Sequence, residues 1–259
     1  MTDCNPASTP MDFNHSLSKA QCPKTPGEKE EMENTPYLNL IGALRYLADG
    51  TRPDIAYAVG VLARFSSDPG SAHWLAAKRV LRYLKRTQDY HLTYRRGDEG
   101  EPFITFADAD LGGNLDTGKS TTGYVVLMSG AAISWQSKLQ PVVAKSTTEA
   151  EYIAASSTGN EILWLRNVLK ELGFEVKQVS SLYLDNNSAV QVAKNPERHG
   201  RMKHLDLAFY WLRDVVEKKI IKPIHISTDH NPSDLLTKAL KRVKFSGFRD
   251  VCGLKDKSD

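Results

Sequence analysis

The sequence predicts an α/β chain in which a mixed β-sheet is flanked by helices and preceded by a small helical unit. Three observations lead to that class. Apolar residues recur at helical spacing between Pro36 and Arg86, short β-branched runs take over from Pro102, and helical and strand-like stretches alternate beyond Thr147. An antiparallel meander followed by strands joined through helices gives a mixed sheet with helices packed on it.

Residues 1–33 carry Pro6, Pro10, Pro23 and Pro26 and an acidic run from Glu28 to Glu33. Without apolar periodicity such a segment buries too little surface to offset its ordering entropy, so an extended or disordered linker is expected. Thr35-Pro36 opens the first helix, with Thr35 as cap and Pro36 where its missing N–H is harmless. Leu40, Ile41, Leu44 and Leu47 form its apolar stripe, and Gly50 ends it. A second helix starts near Pro53 with Ile55, Val59 and Leu62. A third spans about Ser71 to Arg86, with Trp74, Ala77, Leu81 and Leu84 on one face. Its other face presents Lys78, Arg79, Arg82, Lys85 and Arg86. The strand-like His91–Tyr94 closes this unit, assigned to residues 34–97, and polar Arg95–Glu101 reads as a hinge.

Residues 98–245 make the second unit. Strands are expected over Phe103–Ala107, Gly123–Met128 and Ala131–Gln136, then a helix from Thr147 or Thr148 to Leu172, stopped by Gly173. A strand at Ser181–Leu184 precedes a helix from Asn187 to Lys194, closed by Asn195-Pro196. A helix over Leu205–Lys218, a strand at Ile221–Ile226 and a short helix near Pro232–Leu240 follow. Residues 246–259 read as a tail.

A 41% hydrophobic content is enough for a sizeable core, while a net charge of +3 singles out no class of partner. Cys4, Cys22 and Cys252 are odd in number and widely separated, against a disulfide framework or a thiolate metal site. An intracellular, reducing setting is expected, whether a cytoplasmic particle or the nucleus. Residues 1–35 hold no apolar signal core, and the apolar stretches are interrupted by charge, so no membrane partner is expected.

Asp108 ends a strand in F-A-D-A-D, and Asp185 ends another after Leu182–Leu184. Ligands of open α/β sheets gather at the carboxyl ends of strands, where these two would converge. Glu149, in S-T-T-E-A-E, and Asp234 stand in first turns of helices. There they serve either as complements to the helix dipole or as a third and fourth ligand. Four carboxylates around one site cannot all ionise without a cation. Oxygen-only ligation suits Mg²⁺ or Mn²⁺. Two such ions about 4 Å apart would activate a water and stabilise the leaving oxygen in phosphodiester cleavage. Asp110 and Glu151, each two residues further on, are expected to point elsewhere, with Asp110 a rival to Asp108.

Other signals carry less. Gly113 to Ser120 matches the G-x-x-x-x-G-K-[ST] phosphate-loop pattern, but that motif needs a helix next, and the β-branched Thr121–Leu127 follows. His199, Arg201, Lys203 and His204 form a basic knot, either a phosphate contact or a solvated surface. The Lys78–Arg86 face, with Lys78 and Arg82, is either a solvated helix face or a stripe that tracks nucleic acid, and the nuclease-like unit next to it favours the second. Trp135, Trp164 and Trp211 are expected in the core.

Together F-A-D-A-D, K-S-T-T-G-Y, I-S-W-Q-S-K, S-T-T-E-A-E-Y-I-A, L-D-N-N-S-A, K-H-L-D and D-L-L-T-K-A-L resemble the RNase H domain of copia-type retrotransposon Pol polyproteins. Upstream, Y-L-N-L-I-G-A-L-R-Y-L-A-D-G-T-R-P-D-I-A-Y-A-V and A-H-W-L-A-A-K-R-V-L-R-Y-L-K resemble the segment joining the polymerase to RNase H. The resemblance covers residues 5 to about 245. It implies an RNase H-like fold and cleavage of RNA in RNA–DNA hybrids. It also implies that Asp108, Glu149, Asp185 and Asp234 bind two Mg²⁺, with Mn²⁺ able to substitute. Lys119, Ser120, Asn186, Lys203 and His204 fall near the nucleic acid in this reading, and His230 is the candidate for a product-release histidine. Palm and fingers of the parent polyprotein's reverse transcriptase are implied partners. The chain contains no Asp-Asp dipeptide, which polymerase activity requires, so it is expected to be a C-terminal piece without that activity. The alternative is a catalytically silent nucleic-acid-binding remnant or a domesticated fragment dependent on a polymerase partner.

Overall fold

The structure, a computed structural model, describes residues 3–96, 102–194 and 206–256. Helices α1 (Pro26–Glu33), α2 (Tyr37–Gly50), α3 (Ala56–Ala63) and α4 (Ser71–Arg86) lead to a short strand β1 (Tyr90–Leu92). Strands β2 (Ile104–Ala109), β3 (Thr121–Met128) and β4 (Ala131–Leu139) follow, then α5 (Thr147–Glu171) and β5 (Ser180–Leu184). Next come α6 (Asn187–Lys194), α7 (Asp206–Glu217) and β6 (Ile221–His225). A 3-10 turn over Pro232–Leu236, α8 (Arg242–Val251) and β7 (Leu254–Asp256) complete the described chain.

The sheet has the order β4-β3-β2-β5-β6, antiparallel across β4-β3-β2 and parallel across β2-β5-β6. This is the mixed, helix-flanked sheet that the sequence predicts. Ser129 and Gly130 take φ of 55° and 83°, the left-handed pair that a two-residue hairpin between β3 and β4 requires. Pro223 lies in β6, an edge strand, where a missing N–H is tolerated.

Successive residues of a strand face opposite ways. Phe106, Val125 and Leu127 accordingly join a core with Leu44, Leu62 and Val80 of the helical unit and Phe245 of α8. Ala107, Tyr124 and Val126 join the second core, with Tyr152, Ile162, Val190 and Leu212 of α5, α6 and α7. The helical unit and the sheet therefore share a core. Of the hinge expected at Arg95–Glu101, only Arg95 and Arg96 are described, and the Arg95 amide donates to Ser129 O at 2.8 Å.

The extended or disordered linker expected over residues 1–33 instead holds α1 and a 3-10 turn over Lys19–Gln21, and its first stretch, Cys4–Thr9, is pinned along α4. Ala7 N–H donates to Arg82 O at 3.1 Å, Arg82 Nε to Asn5 O at 2.6 Å and Lys85 Nζ to Cys4 O at 3.0 Å. Arg79 adds a bond to Thr9 Oγ1 at 3.1 Å. Polar donors of α4 order this strap, and they act independently of its apolar content. The buried face of α4 is His73, Ala77, Val80 and Tyr83, while Trp74, Leu81 and Leu84 are only partly buried.

The expected C-terminal tail instead contains most of α8 and all of β7. Phe248, Cys252 and Leu254 are buried, and β7 pairs antiparallel with β1. Trp164 is 58% exposed rather than in the core, while Ile162 and Leu165 of the same turn of α5 are buried. Trp135 is partly buried and donates to Ala48 O at 2.9 Å, and Trp211 packs partly buried on the second core. Among the described residues no helix is long and apolar enough to cross a membrane.

Candidate metal centre

Four segments meet at the carboxyl end of β2. Asn231 Nδ2 donates to Ala107 O at 3.0 Å, which fastens the Pro232–Leu236 turn to the strand. Directly across the β2–β3 ladder from Asp108 stands Gly123. A Cβ there would lie 2.6 Å from Thr237 Cγ2 and 2.8 Å from Leu236 Cβ, so glycine lets the turn lie flush on the sheet. Thr237 Oγ1 then donates to Asp108 Oδ2. Asp185 arrives from the end of β5, the parallel neighbour of β2. One carboxylate oxygen each of Asp108, Asp185 and Asp234 lie within 4.8 Å of one another. Asp108 and Asp234 are buried and Asp185 is half-buried.

The helix carboxylate that joins them is Glu151, not Glu149. Counting back from Ile162 through Thr158 and Ala155 in steps of four, three and four reaches Glu151, so it shares the face of α5 turned to the sheet. Glu149 lies about 200° around the helix from it. Its carboxylate turns back to the preceding loop and accepts the Lys145 amide at 3.1 Å. Glu151 Oε1 accepts the Ala109 amide at 3.2 Å. Its Oε2 is buried, and no described group donates to it.

Burial, followed by the charges of Asp108 and Asp185, pushes the Glu151 carboxyl up to about 10. Burial and the charge of Asp108 raise Asp234 as well, against the pull of two lysines. Lys238 Nζ sits 2.6 Å from Asp234 Oδ1 and 3.5 Å from Asp108 Oδ2, and Lys244 Nζ is 2.8 Å from Asp234 Oδ2. Burial works against the Lys238 ammonium, but Asp108 and Asp234 outweigh it and hold its pKa up. A cluster of buried acids held in part by cations, with an orphaned carboxylate oxygen, fits a hard divalent ion such as Mg²⁺ or Mn²⁺.

The remaining expected residues divide. Asp110 turns from the cluster to accept the Thr121 amide and faces Arg64, just past the end of α3, and burial raises its carboxyl to about 6. Ser120 is fully buried and its hydroxyl accepts the Gly112 amide, which ties it into the loop instead of leaving it for nucleic acid. Lys119 is half-buried in that loop, which closes through Gly118 N–H to Asn114 O at 2.8 Å and runs into β3 without a helix. Asn186 is spent as the cap of α6, its Oδ1 accepting the Ala189 amide at 3.1 Å. Arg82 is engaged by the strap, and Lys78 lies over the Trp74 ring at 5.7 Å, so the α4 stripe is largely occupied. His230 is exposed on the turn before Asp234, and no described bond ties it to the cluster. Lys203 and His204 lie outside the described residues.

Sequence reasoning passed over Asn231, Thr237, Lys238 and Lys244. The first three flank Asp234 in N-P-S-D-L-L-T-K, and the four-residue step from Asp234 to Lys238 was legible as a facing pair. From the helical unit, Arg64 donates to Thr121 Oγ1 at 3.3 Å, and Tyr57 lies close enough to feel the charges of Asp110 and Lys238.

No protein-family model matches the chain. It is 46% identical over 255 residues, 98% of its length, to the retrovirus-related Pol polyprotein from transposon TNT 1-94 of Nicotiana tabacum. It is 37% identical over 254 residues, again 98% of its length, to the retrovirus-related Pol polyprotein from transposon RE2 of Arabidopsis thaliana. The chain spans only 19% and 17% of those two relatives. Among solved structures, LC11-RNase H1 isolated from compost is similar over 53% of this chain and 94% of that chain, at 18% identity and a TM-score of 0.41.

Proposed function

The chain belongs to the family of copia-type retrotransposon Pol polyproteins, and from that premise we propose that it is a divalent-metal ribonuclease acting on the RNA strand of RNA–DNA hybrids. The observation that carries the reading is the convergence of Asp108, Asp185 and Asp234 within 4.8 Å at the end of two parallel strands, with Glu151 beside them. Asp108, Glu151, Asp185 and Asp234 are the proposed ligands.

Bound there, two Mg²⁺ would supply an activated water and stabilisation of the leaving oxygen. The chain's own residues fix the geometry. Thr237 holds one oxygen of Asp108. The Ala109 amide holds one oxygen of Glu151 and leaves the other free. Asn231 anchors the turn that carries Asp234. Lys119, on the loop between β2 and β3, is the proposed phosphate contact. Selection of RNA rests on its 2′-hydroxyl, the group that tells it from DNA at one site.

The test is cleavage of a hybrid labelled on its RNA strand by the purified chain with Mg²⁺ or Mn²⁺. The RNA strand is expected to be cut, and Asp185→Asn to abolish cutting. Salt-dependent hybrid binding without turnover under either ion would replace this reading by a silent binding remnant.

A further inference from the structure

Lys238 occupies an unusual place for a lysine. Its ammonium bridges two buried carboxylates from different segments, Asp108 at 3.5 Å and Asp234 at 2.6 Å, and it also feels the charge of Asp185. These are the three residues whose oxygens converge. The side chain is 39% exposed, whereas Asp108 and Asp234 are 2% and 0% exposed. The cation can therefore swing to solvent while the carboxylates stay. Lys244 differs: among the described carboxylates it pairs with Asp234 and the exposed Asp229.

We propose that Lys238 gates this centre: its ammonium and a divalent ion contend for the same oxygens of Asp108 and Asp234, so Lys238 sets the ion concentration at which the centre loads. The inference rests on the metal-ribonuclease reading and adds its regulation. A positive charge within about 4–6 Å of a carboxylate changes that group's affinity for a proton by roughly tenfold or more, and the same Coulomb repulsion acts on an incoming metal cation. The benefit to the fold is that two buried carboxylates at one point are never left without a counter-charge.

Mn²⁺ binding to the full chain, followed by electron paramagnetic resonance of the free ion, tests this. Lys238→Met is expected to bind Mn²⁺ about tenfold tighter or more. Lys238→Arg, which keeps the charge, should bind like the parent, and Lys244→Met should gain less than Lys238→Met. The Mg²⁺ concentration for half-maximal hybrid cleavage should fall in parallel for Lys238→Met. Lys238→Gln covers the case in which the methionine variant does not fold. If the parent binds Mn²⁺ and neither neutral variant binds it more tightly, the gating role is overturned and the ribonuclease reading stands. If the folded parent binds no Mn²⁺ at all, both fail together.

Discussion

Glu151 reaches across from α5 to the backbone of β2, its Oε1 accepting the N–H of Ala109, the residue next to Asp108, at 3.2 Å. That bond separates Glu151 from Glu149, whose carboxylate serves the Lys145 loop. Glu151→Gln keeps the size and the bond to Ala109 but removes the charge an ion needs. Cleavage of the hybrid is expected to fall by a factor of about a hundred or more, as for removal of a group stabilising the transition state. Glu149→Gln should keep cleavage within a few-fold. Single-turnover rates of the two variants decide it, and equal losses would return Glu149 to the site.

Gly123 stands opposite Asp108 in the ladder, and the Asp234 turn lies directly on it. Gly123→Ala places a methyl group 2.6 Å from Thr237 Cγ2 and 2.8 Å from Leu236 Cβ, so the turn must lift. Asp234 then moves while Asp108 and Asp185 stay. Weaker Mn²⁺ binding and slower cleavage are expected, with an overpacking cost of about 1–3 kcal/mol in urea unfolding. Unchanged Mn²⁺ affinity would show that the flush fit of the turn does not matter to the centre.

The parts of this architecture that repeat with a period were legible in the sequence. The β2–β3–β4 meander and α5 follow from the short β-branched runs beyond Pro102 and from a helical stretch opening at Thr147 or Thr148 with a Gly173 stop, and Asp108 and Asp185 follow from their places at strand ends. Glu149 and Glu151 share a motif and differ only in helical phase. That phase is set by tertiary packing of α5, although the spacing of Ala155, Thr158 and Ile162 already pointed to Glu151. The strap was hidden for a different reason. Its order comes from hydrogen bonds to Arg79, Arg82 and Lys85, partners about 70 residues or more away in sequence that no local pattern reveals. The same holds for β7, three residues long, which exists because β1 offers it an edge.

His73 ties the strap to α4 through a neutral ring. Its Nδ1 accepts the Gly70 amide at 2.9 Å, its Nε2 lies 3.2 Å from Ser18 O as donor, and the ring stacks on Phe65 at 4.0 Å. Burial lowers its pKa, and Ser18, Asp116 and Asp68 pull it back only in part. The folded chain thus resists the proton that the unfolded chain accepts near 6.5. The stability from this contact is full above that value and is lost as the pH falls through the lower folded value. Amide exchange at Gly70 and through the strap, taken relative to the intrinsic rate at each pH, is expected to rise below about pH 6.5. His73→Asn, which keeps an acceptor at the Nδ1 position without titrating, should flatten that rise. An identical pH profile in the variant would assign the acid sensitivity to other groups.

Arg52 and Asp54 form the polar centre of the helical unit. Arg52 pairs with both oxygens of Asp54 at 2.9 and 2.7 Å and donates to Thr87 O and Oγ1, while Tyr83 donates its hydroxyl to Asp54 at 2.5 Å. The side chains are 9% and 0% exposed, so either charge left alone would be buried without compensation. Asp54→Asn is expected to cost about 3–5 kcal/mol in chemical unfolding, the usual loss for breaking a buried pair. Tyr83→Phe leaves the ion pair in place and should cost nearer about 1.5–3 kcal/mol, the range for one hydrogen bond to a charged group. Because α2–α4 share a core with β2, β3 and β4, the loss should appear in a single transition that unfolds sheet and helices together. Two separate transitions would instead mean that the helical unit melts on its own, and that its Tyr57 and Arg64 meet the carboxylate end of the sheet only as a docked neighbour.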